Sequence, residues 1–186
     1  YHENLSIGGK SLTLRSSDPT DATVVQATIL DGSHTDSVVI FSGAETANCL
    51  LSGFNIQNGS SATGYGGGIR GNGTLATLRG NWIHDNLGGH GGGISDCDGL
   101  IEFNGVYENL ANSGGGGGLS ACDGEIRFNL VRDNIADYPS VSGPFTFRAD
   151  GGGFHECRAT FHNNIVTGNY ADGRGGGFYD CSGLLA

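Results

Sequence analysis

The chain has little of several residue types, and each shortage argues against a class of protein. It contains no methionine, one tryptophan and three prolines in 186 residues. Nine lysines and arginines stand against 19 aspartates and glutamates, which gives a net charge of −10. This balance argues against nucleic acid or an anionic membrane surface as a partner. No apolar run approaches the ~20 residues that cross a bilayer, so we expect no direct membrane insertion.

The lack of methionine also bears on the origin of the chain. A sequence without methionine does not begin at its own initiation codon, and this one stops at Ala186 partway through a repeat. We therefore expect either an excerpt of a longer protein or a processed filament subunit. Because one repeat type runs through it, we expect a single domain over 1–186, with N-terminal coils in 1–45 and regular repeats in 46–186.

What the chain has in excess is glycine, and the glycines are periodic. Three glycines followed by an apolar residue occur five times, and the apolar residues are Ile69, Ile94, Leu119, Phe154 and Phe178. Successive steps are 25, 25, 35 and 24 residues, and an insertion at 137–150 accounts for the long step. A fixed period in this range is the signature of a repeat architecture.

The repeat unit predicts strands and not helices. Its apolar stretches are short and interrupted by glycine, and each interior glycine would cost a helix about 1 kcal/mol. A short strand can pair in parallel with its counterpart one repeat later if the chain winds as a coil. We therefore predict an all-β fold, a right-handed parallel β-helix of about 24–25 residues per coil. Near the N-terminus we expect strands at Leu12–Leu14 and at Val24 and Val25.

Two asparagine positions keep step with the glycines. We expect each position to form one column at a corner of the coil, because asparagine tolerates left-handed backbone and stacked amides can hydrogen-bond along the column. Glycine permits a third corner. The first column is Asn81, Asn104, Asn129 and Asn164, and the second is Asn86, Asn109, Asn134 and Asn169.

A family resemblance follows from these residues. The string of an apolar residue, two variable residues, Asn, one residue, Ala and then Gly-Gly-Gly-apolar resembles the repeat of the polymorphic outer-membrane proteins. It is also similar to the parallel β-helix repeats of the pectate-lyase-like superfamily. Three segments carry the resemblance: Val106–Asn109 with Ala111, Val131–Asn134 with Ala136, and Val166–Asn169 with Ala171. It covers nearly the whole chain and implies the fold, which carries adhesins, lyases, hydrolases and spacers alike.

Four of the five cysteines form a further column, Cys97, Cys122, Cys157 and Cys181, with Cys49 outside it. In the first glycine unit, Asn72 stands where the cysteine would be. A rise of about 4.8 Å brings neighbouring Cα atoms within disulfide range. Three interpretations stay open: a ladder of free, packed thiols, vertical disulfides such as Cys97–Cys122 and Cys157–Cys181, or a metal site, although a straight column fits tetrahedral zinc poorly.

Acidic residues stack as well, with Asp85, Glu108 and Asp133 at one offset. Two carboxylates about 4.8 Å apart in water repel by only about 0.9 kcal/mol, so solvated columns are tolerated. The alternative is calcium, which takes six to eight oxygen ligands. Two further sets share offsets: Asp96, Glu156 and Asp180, and Asp98 with Asp123.

The resemblance also raises the question of catalysis. Lyases of the superfamily combine a calcium-binding acidic cluster with a basic residue that abstracts a proton. The nearest candidates are Arg132 beside Asp133, His84 beside Asp85, and the pair His155-Glu156, and none lies in a lyase motif.

The function we predict is that of a non-enzymatic structural or adhesive β-solenoid, extracellular or at the cell surface. Its expected partners are other copies, stacked end to end, or cell-surface glycans or proteins. No cofactor is expected unless calcium binds. The alternative is a polysaccharide lyase or glycoside hydrolase.

Two other features have open interpretations. The insertion carries Tyr138, Phe145, Phe147 and Arg148, which either form a binding loop or pack back on the coil. Glycosylation sequons begin at Asn4, Asn58 and Asn72, and chance explains them in a chain this rich in Asn, Ser and Thr.

Overall fold

The computed structural model describes residues 1–61, 64–138 and 148–184. Within them, short strands and one helix follow each other around a coil. The first coil contains β1 (Leu5–Ser6), β2 (Thr13–Arg15), α1 (Ala22–Ala27) and β3 (Ile29–Asp31). The second contains β4 (Val39–Ile40), β5 (Leu50–Ser52) and β6 (Asn55–Gln57).

From the third coil onward each turn has four strands. The third contains β7 (Ile69–Thr74), β8 (Thr77–Arg79), β9 (Trp82–His84) and β10 (Leu87–His90). The fourth contains β11 (Ile94–Cys97), β12 (Ile101–Glu102), β13 (Gly105–Tyr107) and β14 (Leu110–Gly115). The fifth contains β15 (Leu119–Ser120), β16 (Glu125–Arg127), β17 (Leu130–Arg132) and β18 (Ile135–Ala136). The sixth contains β19 (Phe154–His155), β20 (Thr160–His162), β21 (Ile165–Thr167) and β22 (Tyr170–Ala171), and β23 (Phe178–Tyr179) begins the seventh.

Strands of successive coils stack into four parallel sheets. The first sheet has the order β1-β4-β7-β11-β15-β19-β23 and the second β2-β5-β8-β12-β16-β20. The third has the order β3-β6-β9-β13-β17-β21 and the fourth β10-β14-β18-β22. From the third coil to the sixth, the chain visits all four in turn once per coil. This is the architecture of a right-handed parallel β-helix, and the predicted fold class is confirmed.

The register of the sheets follows the glycine repeat. The residue after each glycine triplet pairs with its counterpart in the next coil, in the order Ile69, Ile94, Leu119, Phe154 and Phe178. Val106 pairs with Ile83 on one side and Val131 on the other. A partner one coil away, and not the neighbour along the chain, is therefore the basic contact of this fold.

The core is a narrow apolar column enclosed by the sheets. One cluster of buried side chains extends from Ile7 to Phe161 and consists mainly of isoleucine, leucine and valine. Three rings close its C-terminal part, because Phe161 meets Phe154 and Phe178 edge-on at centroid distances of 5.4 and 5.5 Å. Stacked, dry side chains of this kind supply most of the stability of such a coil.

The first coil differs from the sequence prediction. Thr13–Arg15 is a strand, but Val24 and Val25 lie in α1, so the predicted second strand was wrong. Asp21 caps the helix by accepting a hydrogen bond from the Thr23 backbone N–H, and Val25 is buried. A good N-cap followed by one inward-facing valine is enough to override the β preference of valine.

Among the described residues, no helix has the length and apolarity that a bilayer span requires.

The irregular first glycine unit is explained by a bulge in β7. Arg70 pairs with Ser95, but the next partner of β11 is Thr74 opposite Cys97. The chain between them absorbs the extra residues of this unit. Thr74, and not Asn72, therefore occupies the position beneath the cysteine column, which corrects the sequence alignment.

Candidate functional site

The two predicted asparagine columns are continuous hydrogen-bonded ladders. In the first, Asn104 Nδ2 donates to Asn129 Oδ1 at 3.1 Å and to the Leu78 carbonyl at 3.0 Å. Each Oδ1 also accepts the backbone N–H of the asparagine below it, as Asn129 Oδ1 does from Asn104 at 2.9 Å. The second ladder repeats these bonds from Asn86 to Asn169. Because donors and acceptors are all used, the ladders are structural and present nothing to a ligand.

The expectation that the ladder asparagines themselves adopt left-handed backbone was wrong. The left-handed residue at each corner is the one before the asparagine, for example Phe103 with φ of 56° and Glu108 with φ of 55°. The asparagine itself follows in ordinary backbone and turns its amide inward. At the glycine corner the first residue of the triplet is left-handed in four of the five units, as at Gly91 with φ of 63°. The side chain at a corner is thereby pushed outward, whatever its type.

The cysteine column is buried among apolar groups. Cys97, Cys122 and Cys157 are fully enclosed, while Cys181 is partly exposed, and all five cysteines are free thiols. Each column thiol donates to the carbonyl two residues before it, at 3.5 Å for Cys97 and 3.4 Å for Cys122. Burial raises the pKa of Cys97 well above its usual value, so the unreactive thiol form dominates.

A buried carboxylate joins the first three coils. Glu45 Oε1 accepts the backbone N–H groups of Gly9 at 2.8 Å and Ser42 at 2.9 Å. Its Oε2 accepts from the Gly43 N–H at 3.1 Å and the Thr74 hydroxyl at 3.0 Å. Burial alone would raise its pKa, but these donors outweigh burial and lower the pKa from 4.5 to about 2. Sequence reasoning missed this residue, because a lone glutamate in a loop carries no pattern.

The acidic column Asp85, Glu108 and Asp133 is exposed and paired with a column of cations and rings. Asp85 accepts from His84 Nδ1 at 2.7 Å, and Asp133 accepts from Arg132 at 2.5 Å. The Arg132 guanidinium lies 4.6 Å from the centre of the Tyr107 ring, which stacks on His84 at 4.8 Å. The predicted base candidates His84 and Arg132 therefore both contact neighbouring acids on the third sheet.

Among the described residues, no group of three or more His, Cys, Asp or Glu side chains is arranged to hold a metal.

The two other predicted sets of acidic residues meet in a groove of about 350 Å³ at the corner between the first and second sheets. Its charged lining is Asp96, Asp98, Asp123, Glu156, Arg158 and Asp180. Backbone N–H groups use some of the oxygens, since Asp123 N–H donates to Asp98 at 3.1 Å. Burial, with Asp98 nearby, raises the pKa of Asp96. The sequence offsets predicted the stacking but not that two sets share one groove, which we call the acidic groove.

The third base candidate, His155, is buried in the first sheet. Its ring stacks on Tyr179 at 5.8 Å and lies 6.4 Å from His90. Nδ1 is buried without a hydrogen-bond partner among the described residues, and Glu156 is 3.9 Å away. Burial lowers the pKa of His155, and the nearby Glu156 only partly opposes it. The neutral ring fits a packing role between coils.

A second groove, of about 580 Å³, lies at the other edge of the second sheet and was not predicted. We call it the aromatic–arginine groove. Its principal lining residues are Arg15, Thr20, Ser52, Arg79, Trp82 and Phe103. Arg15, Ser52 and Arg79 are consecutive in one outward column, because each pairs with the next across β2, β5 and β8. The residues come from several coils, and three of the six stand outside the glycine repeats, so no sequence pattern connects them.

Exposed apolar side chains also form columns on the outer surface of the coil. Phe103 and Phe128 stack in parallel on the corner at 5.1 Å. Leu130 pairs with Ile165 on the third sheet, and both are exposed, Ile165 to 63%. A further column on the fourth sheet consists of Leu110, Ile135 and Tyr170. Contiguous exposed apolar groups on a folded surface mark interaction sites.

The other predicted positions belong to the insertion and the sequons. Phe145 and Phe147 lie outside the described residues, as does most of the insertion, and Arg148 reaches the Asp172 carbonyl at 3.4 Å. Tyr138 lies at the other edge of this gap. The sequon amides are engaged: Asn4 Nδ2 donates to Ser37, Asn58 Nδ2 to Asp31 and Asn72 Nδ2 to Phe41.

Comparison with known proteins adds no further assignment. No family model, no curated protein and no solved structure matches the chain. The fold and the side chains themselves are therefore the basis for assigning a function.

Proposed function

We propose that the chain is a non-enzymatic adhesive or structural β-solenoid of the extracellular space or cell surface. The observation that carries this proposal is the set of exposed apolar columns on the outside of the coil. Inside the coil, the apolar core is packed and the asparagine ladders form their hydrogen bonds within the chain. Such a coil holds its outward side chains at a fixed rise of about 4.8 Å. Rigid presentation of a contact surface is what an adhesive module needs, because less side-chain and loop entropy is lost on binding.

Other surfaces support the same proposal. In the His84–Tyr107–Arg132 stack, both ring nitrogens of His84 are hydrogen-bonded, Nδ1 to Asp85 at 2.7 Å and Nε2 to Asn55 Oδ1 at 2.6 Å. The Arg132 guanidinium is ion-paired with Asp133, so neither side chain offers a free lone pair with which to act as a base. End-to-end stacking of copies stays a prediction of this proposal. Electron microscopy of the purified protein tests the stacking. We expect filaments whose axial repeat equals the length of one coiled chain, and isolated particles at high concentration would contradict end-to-end stacking.

A second candidate is a polysaccharide lyase, and the acidic groove is what favours it. The pectate-lyase-like resemblance implies calcium-binding carboxylates beside a base, and Arg158 is the basic residue that lines this groove in the described part of the chain. Two carboxylates stacked in neighbouring coils also approach the ~5 Å separation between the two carboxyl groups of a retaining glycosidase. Stacked ladders produce that separation at many positions, so the adhesive function has the stronger support.

Product release separates the two candidates. The chain would be incubated with polygalacturonate and with neutral polysaccharides, with and without calcium, and new unsaturated or reducing ends measured. The adhesive proposal predicts no products above buffer alone. Products that disappear in Arg158→Gln, but persist in the exposed control Lys10→Gln, would overturn it in favour of the lyase.

A further inference from the structure

The aromatic–arginine groove differs from the rest of the surface in its charge. On the outward column, Glu102 is held between Arg79 at 3.4 Å and Arg127 at 2.9 Å, and Arg127 also bonds Glu125 at 2.8 Å. The Arg15 side chain has no hydrogen-bond or ion-pair partner among residues 1–61, 64–138 and 148–184. The end of the column that lines the groove therefore carries surplus positive charge in a chain whose net charge is −10.

The groove also offers hydrogen-bond donors that the fold leaves unused. The indole N–H of Trp82, like the Arg15 guanidinium, has no acceptor within the described part of the chain. Arg15 and Arg79 stand two strand spacings apart, about 9.6 Å. The Arg79 guanidinium lies 5.5 Å from the centre of the Phe103 ring, which fixes it at the groove wall. Donors converging from the first and third coils fit a ligand rich in acceptors, above all a carboxylate.

The surroundings of the groove decide the kind of ligand. The apolar surface continues from Phe103 to Phe128, Leu130 and Ile165 in the neighbouring coils. Leucine and isoleucine provide no ring face for a sugar and would leave its hydroxyls unpaired. A protein segment can bring a carboxylate and apolar side chains on the same strand, and Trp and Arg are the residues that dominate such interfaces.

We infer that the aromatic–arginine groove and its adjoining apolar columns bind an acidic, apolar segment of a partner protein. The inference rests on the proposed adhesive function and names the partner class for it. The carboxylate contacts Arg15 and Arg79, the Trp82 indole donates into the groove, and apolar side chains of the segment cover Phe128, Leu130 and Ile165.

Trp82 makes the inference directly measurable, because it is the single tryptophan of the chain. The probe is an acetylated octapeptide in which leucine and aspartate alternate, titrated against the whole chain while Trp82 fluorescence is followed. Parallel titrations use the same peptide with lysine for aspartate, and a galacturonate oligomer. We expect a saturable spectral shift with the aspartate peptide alone, weakening as salt is raised.

Substitution locates the contact. Arg15→Gln is expected to weaken binding of the aspartate peptide about tenfold, the usual loss for one charge-assisted hydrogen bond. The matched control Arg158→Gln makes the same chemical change in the acidic groove and should leave the affinity unchanged. Circular dichroism of both variants checks that the fold is retained.

Three results would overturn the inference. These are equal binding of the lysine peptide, unchanged affinity in Arg15→Gln, or a Trp82 response to the galacturonate oligomer without one to the peptide. None of them bears on the adhesive function itself, which fails if the chain releases products from polysaccharides. Failure of the groove and failure of the proposed function are thus distinguishable.

Discussion

Glu45 provides the sharpest test of how the first coils are held together. The residue is 1% exposed, and its carboxylate accepts hydrogen bonds from Gly9, Ser42, Gly43 and Thr74, which belong to three successive coils. Glu45→Gln keeps the shape but removes the charge. The amide NH₂ must then face donors on one side, which leaves the Gly43 N–H or a neighbour unpaired.

The magnitude follows from the pKa of Glu45, which falls from 4.5 unfolded to about 2 folded. That difference corresponds to about 3 kcal/mol of stability. The pKa is lower in the folded state, so the stabilisation is complete above the unfolded pKa of 4.5. It is lost progressively as the pH falls from there towards about 2. By pH 3 roughly 2 kcal/mol of it should be gone.

Urea unfolding at pH 7 and pH 3 measures both effects. We expect Glu45→Gln to be about 3 kcal/mol less stable than the parent chain at pH 7, and the gap to narrow at pH 3. The exposed Glu3 supplies the control, and Glu3→Gln should track the parent at both pH values. A Glu45→Gln chain within about 0.5 kcal/mol of the parent at pH 7, or with an unchanged gap at pH 3, would refute the reasoning.

Three further predictions concern the coil itself, each measured by urea unfolding. Asn104→Asp removes both hydrogen bonds donated by Nδ2 and should lower the free energy of unfolding by about 3 kcal/mol. The control Asn163→Asp, exposed at the same corner, should change it by less than about 0.5 kcal/mol. Equal losses of stability in the two variants would count against the ladder. Ala121→Gly relieves a left-handed residue with φ of 51° and should raise stability by about 1 kcal/mol, so a lower midpoint would contradict the strain. Gly118→Ala places a Cβ 2.7 Å from a backbone oxygen of the next coil and should cost at least about 2 kcal/mol. At the equivalent Gly177 the atom nearest to an added Cβ is 3.6 Å away, so Gly177→Ala should be tolerated. If the two variants lost similar stability, packing between coils would not be the reason that position 118 requires glycine.

The repeat alone was sufficient to predict the fold. Identical residues recur at a fixed step, and only a coil lets each meet its copy at strand spacing. The register of Ile94 with Leu119 and the bonds between Asn104 and Asn129 follow from that one requirement. Where the repeat is absent the prediction failed, as at Val24 and Val25, because a local cap decided between helix and strand.

What the tertiary structure decided is the outer surface. Inward positions are constrained by neighbours one coil away, so they repeat and can be predicted from the sequence. Outward positions face solvent and vary freely, so nothing in the sequence indicates that Arg15, Arg79 and Trp82 line one groove. Glu45 is buried but was equally beyond prediction, since its donors come from three different coils. The periodic interior was thus determined by the sequence itself, while the grooves exist only once the coils are stacked.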